Sequence, residues 1–133
     1  MRAGARAGAL AAAALAFAGA ALAAPKGDAR RGEEIYSRCM ACHALAYDRT
    51  GPRHCGLFGR RAGSVAGFAY SKAMKRSKIV WNAKTLDRFL ADPMKAVPGT
   101  AMGYAGVKDA RERADLIEYL READASPACR AVK

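Results

Sequence analysis

The sequence predicts a small all-α domain with long loops, because three helical segments are separated by extended irregular stretches. The helical segments begin at capping residues and carry apolar side chains at helical spacing. The stretches 50–67 and 97–106 are rich in glycine and proline, and no segment alternates like a β-strand for long. Long irregular loops in so small a domain usually wrap a ligand. We therefore expect three main helices whose loops surround a bound group.

Residues 1–23 are typical of a secretory signal peptide. They open with two arginines, continue as an alanine-rich apolar run and end in the small-x-small sequence Ala-Leu-Ala. The run is marginal for a membrane span and has no basic stop-transfer flank. We expect cleavage between Ala23 and Ala24 and export to the periplasm, with an uncleaved N-terminal anchor as the alternative.

The remaining residues 24–133 are about 110 in number, which leaves room for one domain. The chain has few large apolar side chains, with one Trp and four Phe, one of which lies in the signal segment. A domain of this size and composition needs additional stabilisation from a disulfide, a metal or a large cofactor.

The chain is strongly basic, with a net charge of +11, and loss of the two signal-peptide arginines leaves about +9. Such a charge favours anionic partners. Export and the lack of a concentrated basic-aromatic tract argue against nucleic acid. An acidic protein surface is the favoured partner.

The first predicted helix runs from Asp28 to about Cys42. Asp28 is a good N-cap, and Glu33 and Glu34 follow in the early turns, where negative charge suits the helix dipole.

The second predicted helix covers residues 82–91, capped by Asn82 and stopped by Asp92-Pro93. The third covers residues 108 to about 123. The apolar face of the second helix carries Leu86, Phe89 and Leu90. The apolar face of the third helix carries Ala110, Ala114, Ile117 and Leu120, and it is widened by Leu116 and Tyr119.

The motif that carries chemistry is C-x-x-C-H at residues 39–43, which in an exported protein indicates covalent attachment of haem c. Cys39 and Cys42 face one side of a helical turn and can add to the two haem vinyl groups, while His43 reaches the iron. A thioredoxin-like redox pair would need a βαβ context, which is absent. A zinc site would need a second ligand pair, for which only His54 and Cys55 are available.

Haem iron takes a sixth ligand or keeps an open site. The candidates are Met40, Met74, Met94, Met102 and His54. Met102 is favoured because it lies in a tight loop, PGTAMGYAG at residues 98–106, whose proline and glycines fix the path of the chain. A thioether ligand favours reduced iron and raises the potential.

From about Gly27 to Ala123 the sequence resembles the class I c-type cytochromes, in the branch of mitochondrial cytochrome c and bacterial cytochrome c2. The resemblance is carried by the order and spacing of the stretches GDARRGEEIYSRCMACH, TGPRHCGLFGRRAG, GFAYSKAM, IVW, TLDRFLADP, PGTAMGYAG and ERADLIEYL. It implies the class I cytochrome c fold, with three main helices and long loops wrapped around one covalently bound haem.

The resemblance also implies roles for individual residues. His43 would be the proximal iron ligand, oriented by the Pro52 carbonyl, and Met102 would be the distal ligand, with Thr100 in its loop. Residues near the haem propionates would be Arg60, Tyr70 and Trp81. In the helices, Gly32 and Tyr36 would pack against Leu116 and Tyr119.

The sequence departs from the family pattern at several positions. Phe89 and Met74 stand where a tyrosine and an asparagine are usual, which makes the distal side drier. Around the exposed haem edge, basic residues remain at Arg38, Lys95 and Lys108, whereas lysines are replaced at Met94 and Ala101.

The function that the resemblance implies is a soluble periplasmic electron carrier with one haem, monomeric and not itself an enzyme. It would bind no small-molecule substrate and would dock on acidic faces of redox partners such as a bc1-type complex, a terminal oxidase, a reaction centre or a reductase. The alternatives are a haem peroxidase or gas sensor with a labile sixth ligand, and a thiol-disulfide protein using Cys39 and Cys42.

Two cysteines remain after haem attachment, Cys55 and Cys129. The resemblance places the C-terminal tail near the loop that holds Cys55, so we expect a disulfide between them rather than free thiols. His54 lies where the family has an apolar residue against the haem, on the His43 side, and is a poor candidate for the distal ligand.

Overall fold

The computed structural model describes Gly4 and residues 26–132. The predicted signal peptide and its cleavage site therefore lie outside the described residues, apart from Gly4. Over the described residues the regular structure is helical, with one isolated β-bridge between Arg61 and Val80 and no strand. The helices are α1 (Ala29–Tyr36), α2 (Lys72–Arg76), α3 (Ala83–Ala91), α4 (Pro93–Ala96), α5 (Ala110–Ala123) and α6 (Pro127–Arg130), with a 3₁₀ turn at Ser37–Cys39 after α1.

Helix α1 begins as predicted but is shorter. The Asp28 carboxylate accepts hydrogen bonds from two backbone N–H groups of the first turn, at 3.0 and 3.2 Å. The helix ends at Tyr36, where the Ser37 hydroxyl donates to the Glu34 carbonyl at 2.6 Å. Such side-chain bonds to the backbone compete with helix propagation. The C-x-x-C-H motif consequently lies on the tight turn that follows α1.

Helices α3 and α5 match the predicted segments closely. Asn82 and Thr85 form a reciprocal capping box at the start of α3. Helix α5 starts two residues later than predicted, because Asp109 accepts from the Glu112 N–H at 2.8 Å and acts as the N-cap. The short helices α2, α4 and α6 were not predicted, since four or five residues are too few to show a period.

The packing of α1 against α5 forms the base of the fold. Gly32 lies where a Cβ atom would come within 2.7 Å of the Tyr119 Cβ and would collide with the Asp115 carbonyl oxygen. The Tyr36 and Tyr119 rings lie 5.1 Å apart between the same helices. The close crossing of α1 and α5 therefore depends on a residue without a side chain, as the resemblance implies.

The core forms where these helices and α3 meet. Its buried members include Leu86 and Leu90 of α3 and Leu116 and Leu120 of α5. Among the described residues, none of the helices has the length and apolar character that a membrane span requires.

Candidate functional site

The helices and loops surround a cavity of about 490 Å³, large enough for a sizeable organic group. Its walls come from α1, α3 and α5, from the loop at residues 50–63, and from the loop at residues 100–107. The walls are mainly apolar, and they include every predicted haem-site residue: Cys39, Cys42, His43, Pro52, Arg60, Tyr70, Trp81, Thr100 and Met102.

The two motif cysteines lie at this cavity with free thiols. Burial raises the pKa of Cys39 to about 11, so that its thiol is protonated at neutral pH. A reactive redox cysteine instead needs a lowered pKa. The raised pKa of Cys39 therefore disfavours a thioredoxin-like role for this cysteine.

Two hydrogen bonds position His43, one from its backbone N–H and one from a ring nitrogen. The backbone N–H of His43 donates to the Cys39 carbonyl at 2.9 Å, which ties the histidine to the turn that carries both cysteines. Its Nδ1–H donates to the Pro52 carbonyl at 2.8 Å. Burial lowers the pKa of His43, so the neutral ring keeps a free lone pair on Nε2. A ring held in this tautomer is prepared to bind a metal through Nε2.

Gly51 lies against the same ring. A Cβ atom added at Gly51 would lie 2.6 Å from Nδ1 and 2.7 Å from Nε2 of His43, closer than carbon and nitrogen atoms can approach. The Gly51 N–H donates to the Cys42 carbonyl at 2.7 Å, which ties the loop to the motif. The fold thus needs a glycine at this position to admit the imidazole.

Met102 lines the same cavity and packs partly buried against the core. Its N–H donates to the Thr100 hydroxyl at 3.3 Å, and the Thr100 N–H donates to the Val97 carbonyl at 2.9 Å. Met74 and Phe89 are buried and also line the cavity, so its walls carry apolar groups at these two positions where the sequence departs from the family pattern.

Arg60 is fixed by backbone carbonyls, with Nη1 donating to Cys55 at 3.0 Å and Nη2 to Arg53 at 2.9 Å. Burial lowers the pKa of Arg60, although its guanidinium remains charged. The backbone N–H of Trp81 donates to the Arg60 carbonyl at 2.9 Å, and the Tyr70 hydroxyl accepts from the Val65 backbone N–H at 3.4 Å. Arg60 therefore brings a cation to the cavity, and Tyr70 brings a hydroxyl group.

His54 contacts the site in a way that the sequence did not predict. Its ring stacks on the His43 ring with the centroids 4.3 Å apart, and its Nδ1 lies 3.0 Å from the Tyr36 hydroxyl. Burial, followed by the nearby His43 and Arg60, holds the pKa of His54 well below its usual value, so the ring is neutral. The resemblance placed His54 on the His43 side, but no sequence signal predicted that the two rings stack or that Tyr36 bonds to His54.

A disulfide joins Cys55 to Cys129 in the structure, with the Cα atoms 5.2 Å apart, a separation suited to such a bond. Cys129 belongs to α6 and is fully buried. The Gly56 N–H donates to the Asp124 carboxylate at 2.6 Å, which provides a second link between the same loop and the C-terminal segment.

The residues present fit a covalently attached haem. A mainly apolar cavity contains two thiols, an imidazole with an available Nε2, a thioether and a half-buried guanidinium. Thiols suit covalent attachment, imidazole and thioether suit the two axial positions of iron, and a cation suits a carboxylate substituent. Among the described residues no cluster of three or more His, Cys, Asp or Glu side chains could hold a bare metal ion.

Comparisons with known proteins agree with this assignment. The family model "Cytochrome c" matches residues 29–124. A cytochrome c from Chlamydomonas reinhardtii is 47% identical over 106 residues, covering 77% of this chain and 95% of the relative. Cytochrome c2 from Blastochloris viridis is 42% identical over 101 residues, covering 74% and 80%.

A solved structure adds the same likeness at the level of the fold. Cytochrome cH from Methylobacterium extorquens superposes with a TM-score of 0.71 at 40% identity, covering 72% of this chain and 99% of that protein. Residues 29–124, which the family model matches, include the motif, both cavity loops and helices α1 to α5. The chain therefore belongs to the cytochrome c family and has the class I c-type cytochrome fold.

Proposed function

We propose that this chain is a soluble periplasmic electron carrier with one haem c, ligated by His43 and Met102. The observation that supports this best is the common cavity, where two free thiols, the oriented His43 ring and the Met102 thioether meet among apolar walls. Membership of the cytochrome c family supports the haem and the transport of electrons. The secretory signal predicted at residues 1–23 supports the periplasmic location.

When bound, haem c supplies an iron centre that accepts and releases one electron. Cys39 and Cys42 would hold the group covalently, and the Pro52 carbonyl keeps Nδ1 of His43 protonated, which would leave Nε2 free to bind the iron. Phe89 and Met74 contribute buried apolar side chains to the wall of the cavity. Ligands supplied by a packed fold keep their geometry in both redox states, so little reorganisation accompanies electron transfer.

The partner is proposed to be an acidic face of another redox protein. The chain is basic, and a positive surface steers association with a negative one in a salt-dependent way. Arg38, near the motif, is exposed but forms a two-bond ion pair with Glu112 at 2.8 and 2.9 Å. Lys95 and Lys108 are both exposed, and Lys108 donates to the Ala91 carbonyl at 2.9 Å. These contacts fix the positions of two of the three cations in the predicted docking face.

A haem peroxidase or gas-binding sensor is the second candidate. It is favoured by the apolar side chains of Phe89 and Met74, which offer no hydroxyl or amide group to the region of Met102. A methionine held without such groups would exchange more easily for an external ligand.

The deciding experiment is the absorption spectrum of the chain expressed with haem-maturation machinery. We expect a Soret band, a mass increase of one haem, and the far-red charge-transfer band of a ferric iron–methionine bond. Met102→Leu should abolish the far-red band and let the reduced protein bind carbon monoxide. Met94→Leu is the matched control, because Met94 is 53% exposed and the same change there should leave both properties unaltered.

Other results would favour the alternatives. A wild-type protein without the far-red band that readily binds carbon monoxide when reduced would support the peroxidase or sensor. A mass equal to the bare mature chain and no Soret band would support a thiol-disulfide protein.

A further inference from the structure

His54 is one of only two histidines in the chain, and the function proposed above gives it no role. Its imidazole is nearly parallel to that of His43, with 23° between the planes and 4.3 Å between the centroids. Its Nδ1 atom lies 3.0 Å from the Tyr36 hydroxyl oxygen. A continuous series of contacts therefore runs from helix α1 through His54 to the proposed iron ligand.

The backbone holds His54 in register with the segment that follows the ligand. The His54 N–H is shared between the carbonyls of Ala44 and Leu45, at 3.2 and 3.1 Å. The Cys55 N–H donates to the Leu45 carbonyl at 2.8 Å. The two stacked imidazoles thus project from segments that are hydrogen-bonded to each other.

Tyr36 holds the far side of His54. Its ring is buried between α1 and α5, 5.1 Å from the Tyr119 ring, and it meets the His54 ring at 64° with 5.6 Å between centroids. In the described part of the chain, His54 is the one hydrogen-bond partner of this hydroxyl. A hydroxyl group can donate its proton to a ring nitrogen that carries none. We therefore assign Tyr36 as the donor to Nδ1 of a neutral His54, whose proton is then on Nε2.

One hydrogen bond does not fix the orientation of an imidazole plane. The bond from His43 Nδ1 to the Pro52 carbonyl restrains one atom of the ring and still permits the plane to tilt about that contact. A second ring stacked on the first restrains the plane itself. The hydrogen bond to Tyr36 in turn prevents the stacked His54 ring from rotating out of position.

We propose that Tyr36 and His54 form a positioning pair that sets the orientation of the His43 imidazole plane. The inference rests on the proposed function, since it takes His43 to be the iron ligand. An aliphatic side chain at residue 54 would fill the same space but would offer neither a flat ring nor a hydrogen-bonding group for the Tyr36 hydroxyl.

The orientation of an axial imidazole plane controls how unpaired spin is distributed over a low-spin ferric haem. The proton NMR shifts of the haem methyl groups report this distribution directly. We expect Tyr36→Phe, which removes a single oxygen atom, to redistribute the haem methyl shifts. His54→Leu should redistribute them further, and His54→Phe, which keeps a flat ring, should restore part of the wild-type pattern.

The double variant tests whether the two residues act together. Because the Tyr36 hydroxyl is proposed to act through His54, Tyr36→Phe combined with His54→Leu should give the same shifts as His54→Leu alone. Tyr119→Phe is the matched control, since it removes a hydroxyl from the adjoining ring without touching the bond to His54, and its spectrum should match that of the wild type.

Unchanged methyl shifts in both single variants, with changes only in melting temperature, would overturn the inference and leave His54 as a packing residue. If His54→Leu fails to acquire haem, Tyr36→Phe alone tests the inference, and unchanged haem methyl shifts in that variant would overturn it. A wild-type protein without a Soret band would instead refute the proposed function, so the two failures are distinguishable.

Discussion

At the level of single residues, Gly51 shows how closely the backbone approaches the proposed ligand. The space that a Cβ atom would need is taken by the His43 ring, with Nδ1 and Nε2 at 2.6 and 2.7 Å and Cε1 nearer still. Its neighbour Pro52 supplies the carbonyl that accepts from His43 Nδ1. The loop therefore cannot move away from a larger side chain at residue 51 without losing that hydrogen bond.

The first prediction is that Gly51→Ala impairs haem incorporation. The added methyl group must displace either the ring or the loop, and such overpacking costs about 1–3 kcal/mol in a well-packed site. We expect less haem per polypeptide after expression with maturation machinery, measured as Soret absorbance against protein mass, and a lower melting temperature. Thr50→Ala is the control, because it shortens the adjacent side chain and should behave as the wild type. Full haem content and an unchanged melting temperature in Gly51→Ala would contradict the steric argument.

At the level of elements, the sequence predicted α3 and α5 well and placed the start of α1 correctly. These helices have capping residues and periodic apolar faces, which are local signals. The early end of α1 was not predicted, because it depends on one hydroxyl bonding to the backbone at Ser37. The short helices α2, α4 and α6 are stabilised by caps and packing rather than by a periodic pattern.

One ion pair connects two of these elements at the surface. Arg38 in the 3₁₀ turn makes two hydrogen bonds with Glu112 in the first turn of α5. The hydrogen bond from Arg38, followed by its positive charge, holds the pKa of the Glu112 carboxyl below its usual value of 4.5. The folded protein therefore favours the ionised carboxylate more than the unfolded chain does.

The second prediction follows from the sign of this shift. Ionised Glu112 stabilises the folded protein at pH values above 4.5, the pKa that the unfolded chain is taken to have. This stabilisation is lost as the pH falls below 4.5 and passes through the lower pKa that Glu112 has in the folded protein. The effect should be small, because both side chains are exposed. In urea unfolding from neutral pH to about pH 3.5, Glu112→Gln should lie below the wild type at neutral pH and converge with it in acid.

Glu122→Gln provides the matched control for this pH dependence. Glu122 is also an exposed glutamate of α5, but it makes no ion pair among the described residues. Its unfolding curves should follow the wild type across the whole range. Parallel curves for Glu112→Gln and the wild type, with a constant offset, would show that the carboxylate does not act through its ionisation.

At the level of the whole molecule, the sequence predicted which residues would meet, but not how they are arranged. The motif at residues 39–43 was identifiable because its residue types and spacing are specific to haem attachment. The loop around Met102 was identifiable from its proline and glycines and from the resemblance to class I c-type cytochromes. The stack of His54 on His43 and the hydrogen bond to Tyr36 depend on the relative positions of three distant segments. Periodicity and motif spacing carry no information on such contacts.

The Cys55–Cys129 disulfide is the longest-range covalent link that the structure contains among the described residues. It spans a sequence separation of 74 residues and joins the loop that holds His54 to α6. In the chain-entropy model, closing a loop of this length restricts the unfolded chain by up to about 4 kcal/mol. The bond therefore stabilises the C-terminal segment against the loop next to the proposed proximal ligand.

The third prediction is that Cys55→Ala/Cys129→Ala lowers the unfolding free energy by up to about 4 kcal/mol while the haem spectrum is retained. The unfolding free energies are compared by urea unfolding of the oxidised proteins. Alkylation mass spectrometry of the native wild type should find neither Cys55 nor Cys129 alkylated. Val132→Ala is the control, since it trims an exposed side chain of the same tail and should leave the free energy unchanged. Two alkylated thiols in the native oxidised protein, or equal unfolding free energies in the wild type and the double variant, would show that the link does not stabilise the fold. A double variant that loses stability together with its haem methyl pattern would show in addition that the tail restrains the loop beneath His43.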